Sequence, residues 1–213
     1  MNKTKILVTG CNGFIGSHLC EKLLQLNYIV YGLDNNNNYY NVKLKHHNCN
    51  LLKKYQNFHF YLHDFCNTNI FEHHNFDYVI HLGGIAGVRN SIDNPEIYCR
   101  INIQGTLYLL EKCRQYNIKN FIYSSSSSVY GLNSKIPFSE DDKICNFNSP
   151  YAISKLTKEM YANLYHRLYN INTIGLRFFT VYGPRGRPDM APFKFIYSII
   201  SNKHIEKYGN GTS

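Results

Sequence analysis

The heptapeptide Gly10-Cys11-Asn12-Gly13-Phe14-Ile15-Gly16 constrains this chain more than any other stretch, because of what flanks it. Ahead of it runs Lys5-Ile6-Leu7-Val8-Thr9, a short apolar strand pattern; behind it apolar residues recur at helical spacing as far as Leu26. A strand that turns on glycines straight into a helix gathers free backbone N–H groups and the positive end of the helix dipole at one point. That point suits a pyrophosphate. Taken alone, the pattern also fits an ordinary strand-to-helix turn. The next predicted strand delivers Asp34, eighteen residues beyond Gly16, where an acid accepts hydrogen bonds from the adenosine ribose hydroxyls. A 2′-phosphate would meet that carboxylate, so the combination selects NAD over NADP. Gly10, Gly13, Phe14, Ile15, Gly16 and Asp34 are the expected cofactor contacts. Asp64, closing the third strand, reads equally as an adenine-side contact or as a turn cap.

Predicted strands at Lys5–Thr9, Ile29–Leu33, Phe58–Leu62, Tyr78–Leu82, Phe121–Ser124 and Thr173–Phe178 alternate with helices, clearest over 14–26, 97–116 and 151–169. Alternation of this kind predicts an α/β fold: a doubly wound, mostly parallel, Rossmann-like sheet covered on both faces. With 213 residues, 44% of them hydrophobic, the chain can bury a large core and fits one domain plus part of another. After Gly183-Pro184-Arg185-Gly186-Arg187-Pro188 the pattern gives a helix over 193–201, a short strand and a glycine-rich turn. The expected division is a cofactor-binding domain over 1–183, carrying the catalytic residues, and over 184–213 the beginning of a smaller substrate lobe, truncated.

No run approaches the roughly eighteen apolar residues of a membrane helix, and the N-terminus leads into a strand without a signal peptide. A cytoplasmic protein without membrane contact is expected. Seven cysteines, with no Cys-x-x-Cys pair, suit reduced thiols, and the adjacent pairs His46-His47 and His73-His74 diverge, so no metal is expected. The formal charge is +9, yet the basic residues are scattered; an anionic small molecule explains them better than nucleic acid. Asn35-Asn36-Asn37-Asn38 reads as a tolerant loop without functional weight.

A second motif, Tyr151-Ala152-Ile153-Ser154-Lys155, sets a phenol and an ammonium four apart on one face of a helix started by Ser149-Pro150. Positive charge from the lysine and from an oxidised nicotinamide favours phenolate, a usable general base. Tyr-x-x-x-Lys is common by chance; downstream of a dinucleotide turn the functional reading prevails. A third feature is the run Tyr123-Ser124-Ser125-Ser126-Ser127-Ser128-Val129-Tyr130-Gly131. Composition favours a linker, but its position after the apolar Phe121-Ile122-Tyr123 favours a loop at the carboxyl end of a parallel strand, where ligands of such sheets bind.

Through these motifs, and through the stretches "GVRNSIDNP", "SSSSVYGLNSKIPFSEDD" and "GLRFFTVYGPRGRPDMAPFKF", the whole chain resembles the extended short-chain dehydrogenase/reductase family of nucleotide-sugar epimerases and dehydratases, in particular its UDP-glucuronate 4-epimerases. The resemblance implies Tyr151 as catalytic base, Lys155 as its electrostatic partner and ribose ligand, and Ser126 as the hydroxyl bonded to the reacting sugar oxygen. It implies carboxylate-binding hydroxyls at Ser127, Ser128 and Thr180, a cationic contact at Arg187, a phosphate or sugar-acid contact at Arg89, and Asn102 on the nicotinamide side. Related dehydratases and decarboxylases carry acids where Ser127 and Ser128 stand, which points to epimerisation. Where the family commonly shows two alanines this chain has Gly83-Gly84, a change that still permits close backbone approach to the cofactor and leaves room for a looser loop. The resemblance also implies a UDP-sugar substrate and a homodimer, formed through the helix after Asn94-Pro95 and the one bearing Tyr151. An uncharged UDP-hexose substrate, and a cofactor-binding remnant without turnover, are the alternatives.

Overall fold

The computed structural model describes residues 3–133, 135–142, 144 and 146–205. Strand β1 (Lys5–Thr9) leads through the glycine turn into α1 (Phe14–Gln25), and β2 (Ile29–Asp34) follows. Helix α2 (Val42–Leu52) starts at Asn41, whose side chain accepts the Lys43 N–H at 3.0 Å, a polar cap of the usual kind. Then come β3 (Phe58–Leu62), the short α3 (Ile70–His73), β4 (Tyr78–His81), α4 (Val88–Asp93) and α5 (Pro95–Tyr98). After a π-helical segment, Cys99–Gln104, the chain continues as α6 (Gly105–Gln115), β5 (Asn120–Ser126), α7 (Pro150–Tyr169), β6 (Asn172–Phe178) and α8 (Ala191–Ile200).

All five strand pairings are parallel, in the order β3-β2-β1-β4-β5-β6. The chain begins at the centre, winds outward to β3 and returns on the other side of β1. Its direction of winding therefore reverses between β1 and β4, and their carboxyl ends open a crevice. Alternation along β1 separates two cores. Ile6 and Val8 face Cys20 and Leu24 of α1 and Leu52 of α2, while Leu7 belongs with Leu109 and Leu110 of α6 and Ala162 and Tyr165 of α7.

Two local outcomes differ from the sequence reading. The predicted helix 97–116 is one helical run whose middle, Cys99–Gln104, widens to π pairing, and Asn102 within it is buried. The serine row is not wholly a loop: Ser124–Ser126 pair with Leu176–Phe178, so β5 extends to Ser126, and only Ser127–Tyr130 leave it as a 3-10 turn. The short strand expected after 201 falls largely outside the described residues. Along β6 Ile174 and Leu176 remain exposed, and α8 buries no side chain among the described residues.

Helix α7 carries one costly feature. Lys158 is fully buried and its Nζ has no hydrogen-bond partner among the described residues. Burial, with the nearby Lys155 charge, holds its amine well below the ordinary 10.5. Over the interval between that lowered value and 10.5 the unfolded chain binds a proton that the folded chain does not, so stability falls as pH drops through it. Replacing Lys158 by Met removes an uncompensated polar group at similar volume. Urea unfolding at pH 7 is expected to show Lys158→Met more stable by about 1–4 kcal/mol, with a flatter stability profile between pH 7 and 10.

Candidate active site

The crevice is a cleft of about 690 Å³, within the range of small-molecule sites. Its floor is the glycine turn. Gly10 holds φ +72°, and a Cβ there would lie 2.8 Å from the Gly83 nitrogen; a Cβ on Gly16 would lie 2.1 Å from the Gly10 carbonyl oxygen. Helix and strand therefore meet backbone to backbone. No side chain caps α1 at Gly13, so its first-turn N–H groups stay available where Gly13, Phe14, Ile15 and Gly16 line the cleft.

At one end stands Asp34, buried at the close of β2. Its carboxylate accepts the Asn12 N–H at 3.1 Å and the Asn36 N–H at 2.9 Å, which binds the β2 terminus to the glycine turn. Lys45 of α2 lies 3.9 Å from the same carboxylate, donates to Asn37 Oδ1 at 2.9 Å and faces the Tyr40 ring at 5.1 Å. Burial, opposed in part by Asp34, lowers the Lys45 ammonium. Burial and the Asp34 charge push the Tyr40 phenol up to about 12, so it remains a hydrogen-bond donor. The asparagine run is thus not idle: Asn36 holds the Asn12 side chain at 2.8 Å and Asn37 holds Lys45. Lys45, Asn37 and Tyr40 all line the cleft and were missed in sequence. For Asn37 and Tyr40 the position just after the carboxyl end of β2 was the available signal.

The opposite wall is built by β5 and α7. Ser149 caps α7 by accepting the Ala152 N–H at 3.2 Å, and Pro150 occupies the first turn, which sets the rotational position of Tyr151 and Lys155. Lys155 Nζ donates to the Ser124 carbonyl and hydroxyl, both at 3.2 Å, and lies 5.7 Å from the centre of the Tyr151 ring. Burial lowers the Lys155 ammonium, and Tyr151 pulls it back upward. Ser126 Oγ accepts the Ser128 N–H at 3.1 Å, which leaves its own proton to donate into the cleft. Ser125 instead spends its proton on Glu159, which a two-pronged Arg177 grips at 3.0 and 2.9 Å.

Ser126, Ser127, Ser128, Tyr151, Lys155, Arg89, Thr180 and Arg187 all line this one cleft, together with Asp34 and the glycine turn. Arg187 is already engaged: Asp189 accepts from its Nε at 3.0 Å and from a second guanidinium nitrogen. Two expected cofactor contacts lie outside the lining. Asp64 accepts the Cys66 N–H at 2.9 Å and caps its own turn, and it touches the site through Asn35 at 3.4 Å. Asn102 sits behind the wall. Its Oδ1 accepts the Ile85 N–H at 2.9 Å, and its Nδ2 donates to the Ile85 carbonyl at 2.9 Å and to Ser154 Oγ at 3.1 Å. That network ties the backbone just after Gly83-Gly84 to the π-helical turn. Gly84 holds φ +151°, where a side chain is strained, and a Cβ there would lie 2.8 Å from Asn102 Oδ1.

The family model for the NAD dependent epimerase/dehydratase family matches residues 6–213. The chain belongs to this family. It is 45% identical to the UDP-glucuronate 4-epimerase of Thermodesulfobacterium geofontis over 97% of its own length and 65% of that protein's. Among solved structures it matches the UDP-glucuronic acid 4-epimerase of Bacillus cereus, in complex with UDP-glucuronic acid and NAD, with TM-score 0.93 and 40% identity over 98% of this chain and 67% of that one. The UDP-glucose 4-epimerase of Thermotoga maritima, solved with UDP-glucose, matches with TM-score 0.86 and 34% identity, over 98% and 67% of the two chains. This chain therefore spans about two thirds of the length of these family members. Among the described residues no helix is long and apolar enough to cross a membrane.

Asn102 satisfies two buried backbone groups at once. Asn102→Leu is expected to lower stability by about 2–3 kcal/mol in urea unfolding, while Asn102→Asp, which keeps the acceptor for Ile85 N–H, costs less at a pH where its carboxyl is protonated.

Proposed function

We propose that the cleft binds NAD and a UDP-sugar and inverts C4 of UDP-glucuronate to give UDP-galacturonate. The observation that carries this reading is the convergence of Ser126, Tyr151 and Lys155 on one wall, opposite a glycine turn that a pyrophosphate can approach. The cradle fits NAD: glycines at 10 and 16 leave no room for side chains, the α1 N-terminus is uncapped, and Asp34 stands where ribose hydroxyls would donate. Residues 1–183 would form the cofactor domain, and the chain from 184 onward would contribute to a substrate-binding lobe.

When bound, NAD supplies a reversible hydride acceptor at C4, so that oxidation to a 4-keto sugar and reduction on its other face leave no net redox change. Tyr151 takes the proton of the 4-hydroxyl and later returns one, with Lys155 supplying positive charge that favours the transfer. Ser126 donates to the oxygen on which negative charge develops. A 4-keto glucuronate is a β-keto acid that readily loses carbon dioxide. Hydroxyls at Ser127, Ser128 and Thr180 hold its carboxylate without adding negative charge, and no carboxylate stands at 127 or 128 to promote elimination. The named activities of the Thermodesulfobacterium and Bacillus relatives support the same substrate.

One observation favours a second reading, an uncharged UDP-hexose: the Arg187 guanidinium is already paired with Asp189. Proton NMR of the chain incubated with NAD and either UDP-glucuronate or UDP-glucose separates them. UDP-galacturonate is the expected product; turnover of UDP-glucose alone would transfer the assignment to the hexose. Tyr151→Phe is expected to cut the rate by about 10²–10⁴-fold while NAD affinity stays within a few-fold. Full activity in that variant would refute the role of Tyr151.

A further inference from the structure

The segment that brings Thr180 and Arg187 to the cleft is joined to the cofactor helix by a residue the catalytic reading does not use. Arg185 lies between Gly183 and Gly186, and its backbone occupies the left-handed region at φ +62°, which is strained for any residue with a Cβ. Its side chain turns back onto α1. The guanidinium pairs with Glu21 and donates to His18 Nδ1 at 3.0 Å, and His18 Nε2 donates to the Pro184 carbonyl at 2.8 Å. A guanidinium can only donate and a carbonyl can only accept, so this arrangement requires a neutral imidazole with its proton on Nε2. Phe14, itself part of the cleft lining, packs edge-on against His18 at 5.7 Å, and a methyl group on Gly183 would touch it at 3.8 Å.

These contacts link positions more than 160 residues apart in sequence. Exposed ion pairs contribute little, but the Arg185 side chain is only 17% exposed, and one of its terminal nitrogens is buried without a partner among the described residues. The guanidinium is thus inserted between loop and helix, and the strained backbone is held by what surrounds it.

We infer that Arg185, gripped by Glu21 and His18, is a positioning residue: it latches the 180–187 segment to α1, so that the substrate-side groups sit correctly only against the helix that holds the cofactor. This rests on the assignment of Thr180 and Arg187 to the UDP-sugar under Proposed function. Glu21 lies outside the cleft lining, so Glu21→Gln loosens the latch without touching either ligand.

Two measurements on the full chain test it. Trypsin cleavage of the Arg185–Gly186 bond, followed by mass spectrometry without ligands, should be slow in the unaltered protein and faster in Glu21→Gln. In calorimetric titrations of the NAD-saturated chain with UDP-glucuronate, Glu21→Gln and Arg185→Ala should each raise Kd about tenfold, with Arg185→Lys recovering part of the loss and NAD affinity unchanged within about twofold. Equal cleavage rates, or equal losses of NAD and UDP-glucuronate binding, would overturn the latch. If the unaltered chain binds NAD but not UDP-glucuronate, the substrate assignment falls, and the cleavage rates alone decide whether Arg185 anchors the loop.

Discussion

A carbon atom on residue 16 would stand 2.1 Å from the carbonyl oxygen of residue 10, and the rest of the structure depends on that atom being absent. Because Gly16 has no side chain, the first turn of α1 rests on the backbone at the end of β1, and the helix N-terminus opens directly into the crevice. From there the constraint spreads. The Asn12 N–H, fixed by the turn, reaches the Asp34 carboxylate and so locks the end of β2 beside the end of β1. One turn along, His18 and Glu21 present the surface on which Arg185 seats. Backbone contact at one glycine thereby sets the positions of both ends of the cleft.

Behind the wall built by β5 and α7 lies a second organising region, rich in polar groups that water does not reach. His81 is fully buried; burial, with Lys158 and Lys155 nearby, holds it well below its ordinary value, so it is neutral. Its partners agree. Thr9 takes the Gly83 N–H and gives its own proton to His81 Nδ1 at 2.7 Å, while Thr106 gives its proton to the Asn102 carbonyl and accepts from His81 Nε2 at 3.1 Å. A continuous chain of hydrogen bonds thus runs from β1 through β4 to the π-helical turn carrying Asn102, and from Asn102 through Ser154 to the backbone of Tyr151. Satisfied networks of this kind hold side chains to one geometry. Lys158, which no partner satisfies among the described residues, is the exception beside it.

Much of the fold was legible because its determinants are local. The apolar run of β1, the glycines after it and the helical spacing beyond specify a strand, a turn and a helix without reference to distant residues, and their alternation specifies parallel pairing. Ser149 before Pro150 marked the start of α7, and with it the shared face of Tyr151 and Lys155. The site was less legible wherever a residue acts through something far away in sequence. The asparagine run looked featureless, since Asn36 and Asn37 acquire their roles only when Asn12 and Lys45 arrive beside them. Asn102 looked like a lining residue, yet it lies buried in the π-helical turn behind the wall, and the closeness of its side chain to Gly84 depends on two segments that are distant in sequence.

By itself the amino-acid order determined the doubly wound sheet, the dinucleotide-type turn and the pairing of a phenol with an ammonium on one helix, since periodicity, glycine and capping act within a few residues. Only the tertiary structure decided how the serine hydroxyls divide their labour, Ser124 to Lys155, Ser125 to Glu159 and Ser126 toward the cleft. Five identical side chains in a row carry no information about their partners. Those partners sit on α7 and in the turn after β5, and which hydroxyl meets which depends on the strand register that places Ser124–Ser126 beside Leu176–Phe178.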